Sequence, residues 1–275
     1  MHIDNNILTR SPLLAGIFYP NDGKQLFSEI EKFGISSTPP DSRSCAIVSP
    51  HGSFSYSGKI AAIAWGALRG AQPAVIVIAG AAHLPYEEGV FLSESMQFEI
   101  PGANLTVDAA LQQHLLRKIP TLRQDDLPHL EEHSIEMQLP FAAYLFPGVP
   151  ILPLIISGWS NSTIASAVDL MKEIRLCHGE DSVLVISSDL AVSDTPEECD
   201  TLSNEFIASL KVKNRQMFHG VDIAKHSFCA ESAIRSFLIA NPQSRPELLE
   251  YRNSASYREH SDELVVGYGA IRFLR

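Results

Sequence analysis

Three times this chain runs along a short apolar strand and ends it on a side chain that can do chemistry. The runs are Cys45-Ala-Ile-Val-Ser-Pro-His51, Ala74-Val-Ile-Val-Ile-Ala-Gly-Ala-Ala-His83 and Ser182-Val-Leu-Val-Ile-Ser-Ser-Asp189. A β-branched run with no polar alternate has no solvent face. Each strand is therefore expected to be buried on both sides, as in a parallel sheet covered by helices. Ligands of such sheets bind in the crevice beyond the carboxyl ends of the strands. The pattern thus delivers His51, His83 and Asp189 to one edge of one sheet.

The rest of the chain fills in the layers. Ser11 to Tyr19-Pro20 is apolar and bounded by prolines, which predicts a packed arm. Leu26, Ile30 and Phe33 give helical spacing over 23–33, with Asn21-Asp22 as the entry signal. Helical spacing recurs over 58–68, 109–119, 163–176, 202–210 and 229–240, and over 132–145 with an interruption at Pro140. Residues 89–108 alternate around Pro101-Gly102, as a hairpin-like excursion does, and 149–156 reads as a further buried strand. The end, from Glu263 to Arg275, reads as a closing strand. The expected fold is α/β: a single three-layer domain spanning 1–275, with a central mostly parallel or mixed sheet flanked by helices.

Composition narrows the partners. With 21 Lys+Arg against 32 Asp+Glu the net charge is −11, and there is no basic stripe, so a nucleic-acid partner is not expected. No segment approaches about 18 consecutive apolar residues, and Met1-His2-Ile3-Asp4-Asn5 lacks the basic start of a signal peptide. These features predict no membrane partner and a cytoplasmic location. Cys45, Cys177, Cys199 and Cys229 show no metal-type CxxC spacing and read as free thiols, most of them buried.

Each candidate residue has two readings. His51, in Pro50-His-Gly-Ser-Phe-Ser-Tyr-Ser-Gly58, is either a helix cap or a metal ligand and proton shuttle. His83 follows Gly80-Ala81-Ala82, small residues that let a ligand or backbone come close. Asp189 is either an N-cap or a metal ligand, or a carboxylate orienting a metal-bound histidine. Cys229 is either a buried thiol or, at the start of a helix, a thiolate suited to metal. His129-Leu-Glu-Glu-His133 matches the H-x-x-E-H pattern of zinc peptidases, with Glu132 as a base, although Pro128 places His129 at an irregular helix entrance. No G-x-S-x-G elbow or Gly-rich phosphate loop is present.

Taken in order, these motifs resemble the Memo family, whose fold is similar to class III non-haem-iron extradiol dioxygenases. The resemblance runs through Ala15-Gly-Ile-Phe-Tyr-Pro20, Ser49-Pro-His51 with Tyr56-Ser-Gly58, Gly80-Ala-Ala-His83, Glu132-His-Ser-Ile-Glu-Met-Gln-Leu-Pro-Phe141, Ser187-Ser-Asp-Leu190, Leu248 to Ser254 and Val266-Gly-Tyr268. It implies a cleft lined by His51, His83, Asp189 and Cys229, with His133 as a cleft residue that moves protons. Imidazole plus thiolate suits Fe(II), the favoured ion, or copper or zinc. Three departures surround these residues: Phe54 replaces a tyrosine, Val192 a histidine and Ala230 a glycine.

The implied function is a metal-binding protein using His51, His83 and Cys229, with Asp189 and His133 as catalytic groups, in an oxygen-dependent oxidation of dioxygenase type. The alternatives are a non-catalytic binding or metal-holding protein with the same cleft and, more distantly, a zinc hydrolase through His129, Glu132 and His133. A small-molecule ligand or a peptide is expected in the cleft. The resemblance also implies a functional link to a radical-SAM protein.

Overall fold

In a computed structural model the structure describes residues 8–211, 228–257 and 264–275. The expectations for Met1 to Asn5 and for Glu263 lie outside the described residues. The first half of the chain is β1 (Thr9–Arg10), α1 (Gly23–Lys32), β2 (Ser44–Ser49), α2 (Phe54–Gly66), β3 (Val75–Ala81), β4 (Gly89–Leu92), β5 (Gln97–Ile100), β6 (Ala103–Thr106), α3 (Ala109–Lys118) and β7 (Leu122–Gln124). The second half is α4 (Leu139–Leu145), β8 (Ile151–Ser157), α5 (Asn161–His178), β9 (Ser182–Ser187), β10 (Val192–Ser193), α6 (Pro196–Leu210), α7 (Glu231–Ala240), β11 (Arg245–Asn253) and β12 (Val265–Leu274).

The main sheet has the order β10-β12-β2-β9-β3-β8-β4-β7, with β11 also paired to β12. Its centre, β2-β9-β3-β8, is parallel, while β12 against β2 and β4 against β8 are antiparallel. The sheet is therefore mixed. Alternate residues of one strand enter two different cores. Val75, Val77 and Ala79 pack with Leu111, Leu170 and Phe237 of α3, α5 and α7. Ile76 and Ile78 pack with Leu26, Ile60, Trp65 and Phe141 of α1, α2 and α4. This two-sided burial is why the runs carry no polar alternate, and it gives the three layers.

Local differences from the sequence reading have physical causes. Residues 132–145 do not form one helix: 3-10 turns cover Leu127–His129 and Glu136–Gln138, and α4 begins only at Leu139. The Glu132 carboxylate captures the Ser134 N–H at 2.7 Å, which holds the backbone out of a helix there. Pro140 interrupts nothing, because it sits in the first turn of α4, where its missing N–H is no loss. α2 begins at Phe54, directly after the His51 turn, and α6 begins at Pro196 behind a Thr195 cap whose hydroxyl accepts from Glu198 N. α7 begins at Glu231, so Cys229 precedes the helix rather than opening it. β11 is an added strand; its polar, Pro-containing sequence reflects an edge position. Of the thiols only Cys199 is buried, whereas Cys177 is exposed near the end of α5.

Candidate metal centre

His51, His83 and Asp189 each stand two residues beyond the end of their strand: β2, β3 and β9. β9 lies between the other two, with Ser49 opposite Ser187 and Ala79 opposite Ile186. The register therefore sets His51 level with Asp189 and His83 one residue further along, at the same edge of the sheet. Glycines allow the close fit. A Cβ on Gly52 would come within 3.0 Å of the Tyr268 ring, and one on Gly80 within 2.3 Å of Ser134 Oγ. The second contact shows what the small residues before His83 are for. They admit the 132–134 loop, which brings Glu132 and His133 to the histidine.

The result is a cluster of three imidazoles. His51, His83 and His133 each offer a ring nitrogen, and these atoms lie within 4.8 Å of one another. The ring centroids are 5.0 Å apart for His51–His83, 4.9 Å for His51–His133 and 4.4 Å for His83–His133. The Cys229 thiol stands beside His83 and favours that ring's charged form, but its sulfur is not among the ligand atoms that lie within 4.8 Å of one another. Phe18 of the N-terminal arm meets His133 edge-on at 6.2 Å.

The second nitrogens of two of these rings are already engaged. His83 Nδ1 lies 2.9 Å from Glu132 Oε1, and the His83 backbone N–H donates to Oε2 at 2.8 Å. His51 Nδ1 lies 3.0 Å from Ser187 Oγ. A donor to carboxylate or hydroxyl on one side of the ring leaves the opposite nitrogen for a metal. Asp189 stands beside His51: Oδ1 accepts the His51 backbone N–H at 2.9 Å, and Oδ2 is 3.9 Å from His51 Nε2.

The electrostatics follow from burial and neighbours. Burial, then the His133 and His83 charges, hold the His51 pKa well below its ordinary value, so the ring is neutral. Burial also lowers His133, aided by the His83 charge. For His83 burial pulls the same way, but hydrogen bonds to Cys229 and Glu132 overcome it and raise the imidazole to about 10. Burial pushes the Asp189 carboxyl up to about 6 against donation from the His51 and Gly52 N–H groups.

The H-x-x-E-H pattern comes apart in this geometry. His129 Nε2 faces the Phe91 carbonyl at 3.2 Å, while Glu132 serves His83 and only His133 reaches the cluster. With no regular helix beneath them, His129 and His133 do not share a face. Glu136, four residues beyond Glu132, is occupied elsewhere. It accepts from Leu13 N, Leu14 N and Tyr19 Oη and so ties down the arm. Glu132, Gln138 and Ser187 take up roles that the residue patterns had not assigned. The signal for the first two was the run Glu132 to Phe141 itself, which mixes polar side chains into an apolar stretch; Ser187 carried none beyond its place at the end of β9.

A family model described as "Memo-like protein" matches residues 10–272. The chain belongs to the Memo family. A MEMO1 family protein of Methanosarcina mazei is 32% identical over 267 residues, covering 95% of this chain and 98% of its own. Another, from Desulfurococcus amylolyticus, is 28% identical over 281 residues, covering 96% and 98%. Among solved structures, the uncharacterized protein JW3007 from Escherichia coli K12 superposes with a TM-score of 0.53 at 14% identity, over 84% of this chain and 99% of that one. That likeness concerns the fold alone. Within this Memo chain, the Phe54 ring packs against Phe33 and Phe141, and Val192 of β10 pairs with Val266 of β12. Among the described residues no helix is long and apolar enough to cross a membrane.

Proposed function

We propose that this Memo-family protein binds one borderline or soft metal ion, Fe(II) in the favoured case and copper or zinc otherwise, through His51, His83 and Cys229. The observation that carries this reading is the convergence of three imidazole nitrogens within 4.8 Å, with the Cys229 thiol beside His83 as the soft donor. The donor set is nitrogen and sulfur, which suits these ions and not Mg²⁺ or Ca²⁺. His133 lies at the same spacing as the other two rings and is a further potential donor.

When bound, such a metal supplies Lewis acidity and, for iron or copper, one-electron chemistry with oxygen. The chain supplies the rest. Glu132 and Ser187 hold the two ligand rings in place. Asp189, with its carboxyl near pH 6, and neutral His133 are placed to hold or move a proton beside a small-molecule ligand in the cleft. The reaction class that fits is oxygen-dependent oxidation of dioxygenase type.

The test is anaerobic titration of Fe(II), Cu(I) and Zn(II) into wild type, His51→Ala and Cys229→Ser. Binding that both substitutions leave unchanged would sink the metal centre. Metal binding with background oxygen uptake across a catechol panel would assign a metal-holding role instead.

A further inference from the structure

We propose that Trp65, Gln138 and Ser187 are positioning residues that fix His51 as its Nδ1–H tautomer and so present Nε2 to the cleft. This deepens the metal-site reading above and rests on it for its purpose, but not for its geometry.

The argument is a count of donors and acceptors. The Trp65 indole can only donate, and it lies 2.9 Å from Gln138 Oε1. That fixes which end of the amide is oxygen. The Gln138 NH₂ then donates to the Pro50 carbonyl at 3.0 Å and to Ser187 Oγ at 2.9 Å. Pro50 O can only accept, which agrees with this orientation. Ser187 has a single hydrogen. The Ser134 carbonyl, 2.6 Å away, can only accept, so that hydrogen goes there.

Ser187 Oγ is left with two lone pairs. One receives Gln138 Nε2–H and the other faces His51 Nδ1 at 3.0 Å. An acceptor meets that nitrogen, so Nδ1 must carry the proton. In a neutral imidazole the remaining lone pair is then on Nε2, the nitrogen on the Asp189 side. Trp65, Gln138 and Ser187 are all fully buried. Reversing any one bond would strand a buried polar atom. A donor in α2 therefore sets the protonation pattern of a ring at the end of β2.

Metal-free protein labelled with ¹⁵N-histidine tests this directly. Long-range ¹H–¹⁵N correlation spectra report which ring nitrogen is protonated, and His51→Gln assigns the signal. The expected result is protonated Nδ1 and bare Nε2 for His51 in the wild type. Ser187→Ala is expected to mix the tautomers and weaken Zn(II) binding roughly 10- to 100-fold, with Ser187→Thr restoring both. A wild-type His51 protonated on Nε2, or a Ser187→Ala spectrum identical to wild type, would overturn the proposal. The wild-type spectrum decides even where a variant does not fold. A protein with the expected tautomer that binds no metal would defeat the proposed function and leave this relay standing.

Discussion

Glu132 receives two hydrogen bonds from one residue, the backbone N–H and the ring Nδ1 of His83, at 2.8 and 2.9 Å. The carboxylate therefore fixes both where the histidine starts and which way its ring turns. Replacing it with Glu132→Gln keeps the size but sets an NH₂ against buried donors. Zn(II) affinity is expected to fall by about 10- to 100-fold, and thermal unfolding to show a loss on the order of 2 kcal/mol. A folded variant with wild-type affinity would show that the ring is oriented by something else.

Gly80 is expected to be intolerant of a methyl group. A Cβ there would meet Ser134 Oγ at 2.3 Å and displace the loop that carries Glu132 and His133. Gly80→Ala should cost about 1–3 kcal/mol and weaken metal binding. The double variant with Ser134→Ala, which removes the opposing oxygen, should recover part of both losses. Strictly additive losses in a double-mutant cycle would show that the two positions do not meet.

The arm is held by a carboxylate that accepts from two backbone N–H groups and a phenol. Glu136 takes its bonds from Leu13 N, Leu14 N and Tyr19 Oη. Glu136→Ala should destabilise the fold by on the order of 3 kcal/mol in urea and open residues 11–20 to limited proteolysis. Protection of the arm equal to wild type would mean that its apolar side chains suffice.

His129 gives the protein an acid-sensitive limb. Burial, then the Arg10 charge, hold its pKa at about 4 against an ordinary 6.5. Between those values the unfolded chain takes up a proton that the folded chain refuses. The stability this histidine contributes is therefore present above pH 6.5 and lost as the pH falls toward 4, by about 3 kcal/mol in total. His129→Gln, which can still donate to Phe91 O, should flatten that limb by roughly one proton in unfolding series at several pH values. An unchanged slope would place the acid sensitivity elsewhere.

The layers were legible because β2, β3 and β9 are buried on both faces and must be apolar throughout. The placement of His51, His83 and Asp189 followed from strand ends alone. What periodicity could not show was contact between distant segments. Residues 132–145 carry helical spacing, yet Glu132 spends its carboxylate on Ser134 N and His83, and that local bond outweighs the pattern. Gln138 and Ser187 look like ordinary polar residues until Trp65 and Ser134 are found beside them. β11 escaped notice because an edge strand need not alternate cleanly.

The clamp on the arm also ties the site to a distant part of the chain. Leu13 and Glu136 are separated by 123 positions, and Arg10 donates to the carbonyls of His129 and Glu132 across a similar distance. Joining ends that far apart costs roughly 4 kcal/mol of chain entropy before any contact returns it. The histidine loop is thus shaped by the first residues of the described chain, more than a hundred positions away. The site therefore rests on contacts of high sequence separation, the kind whose closure entropy slows folding.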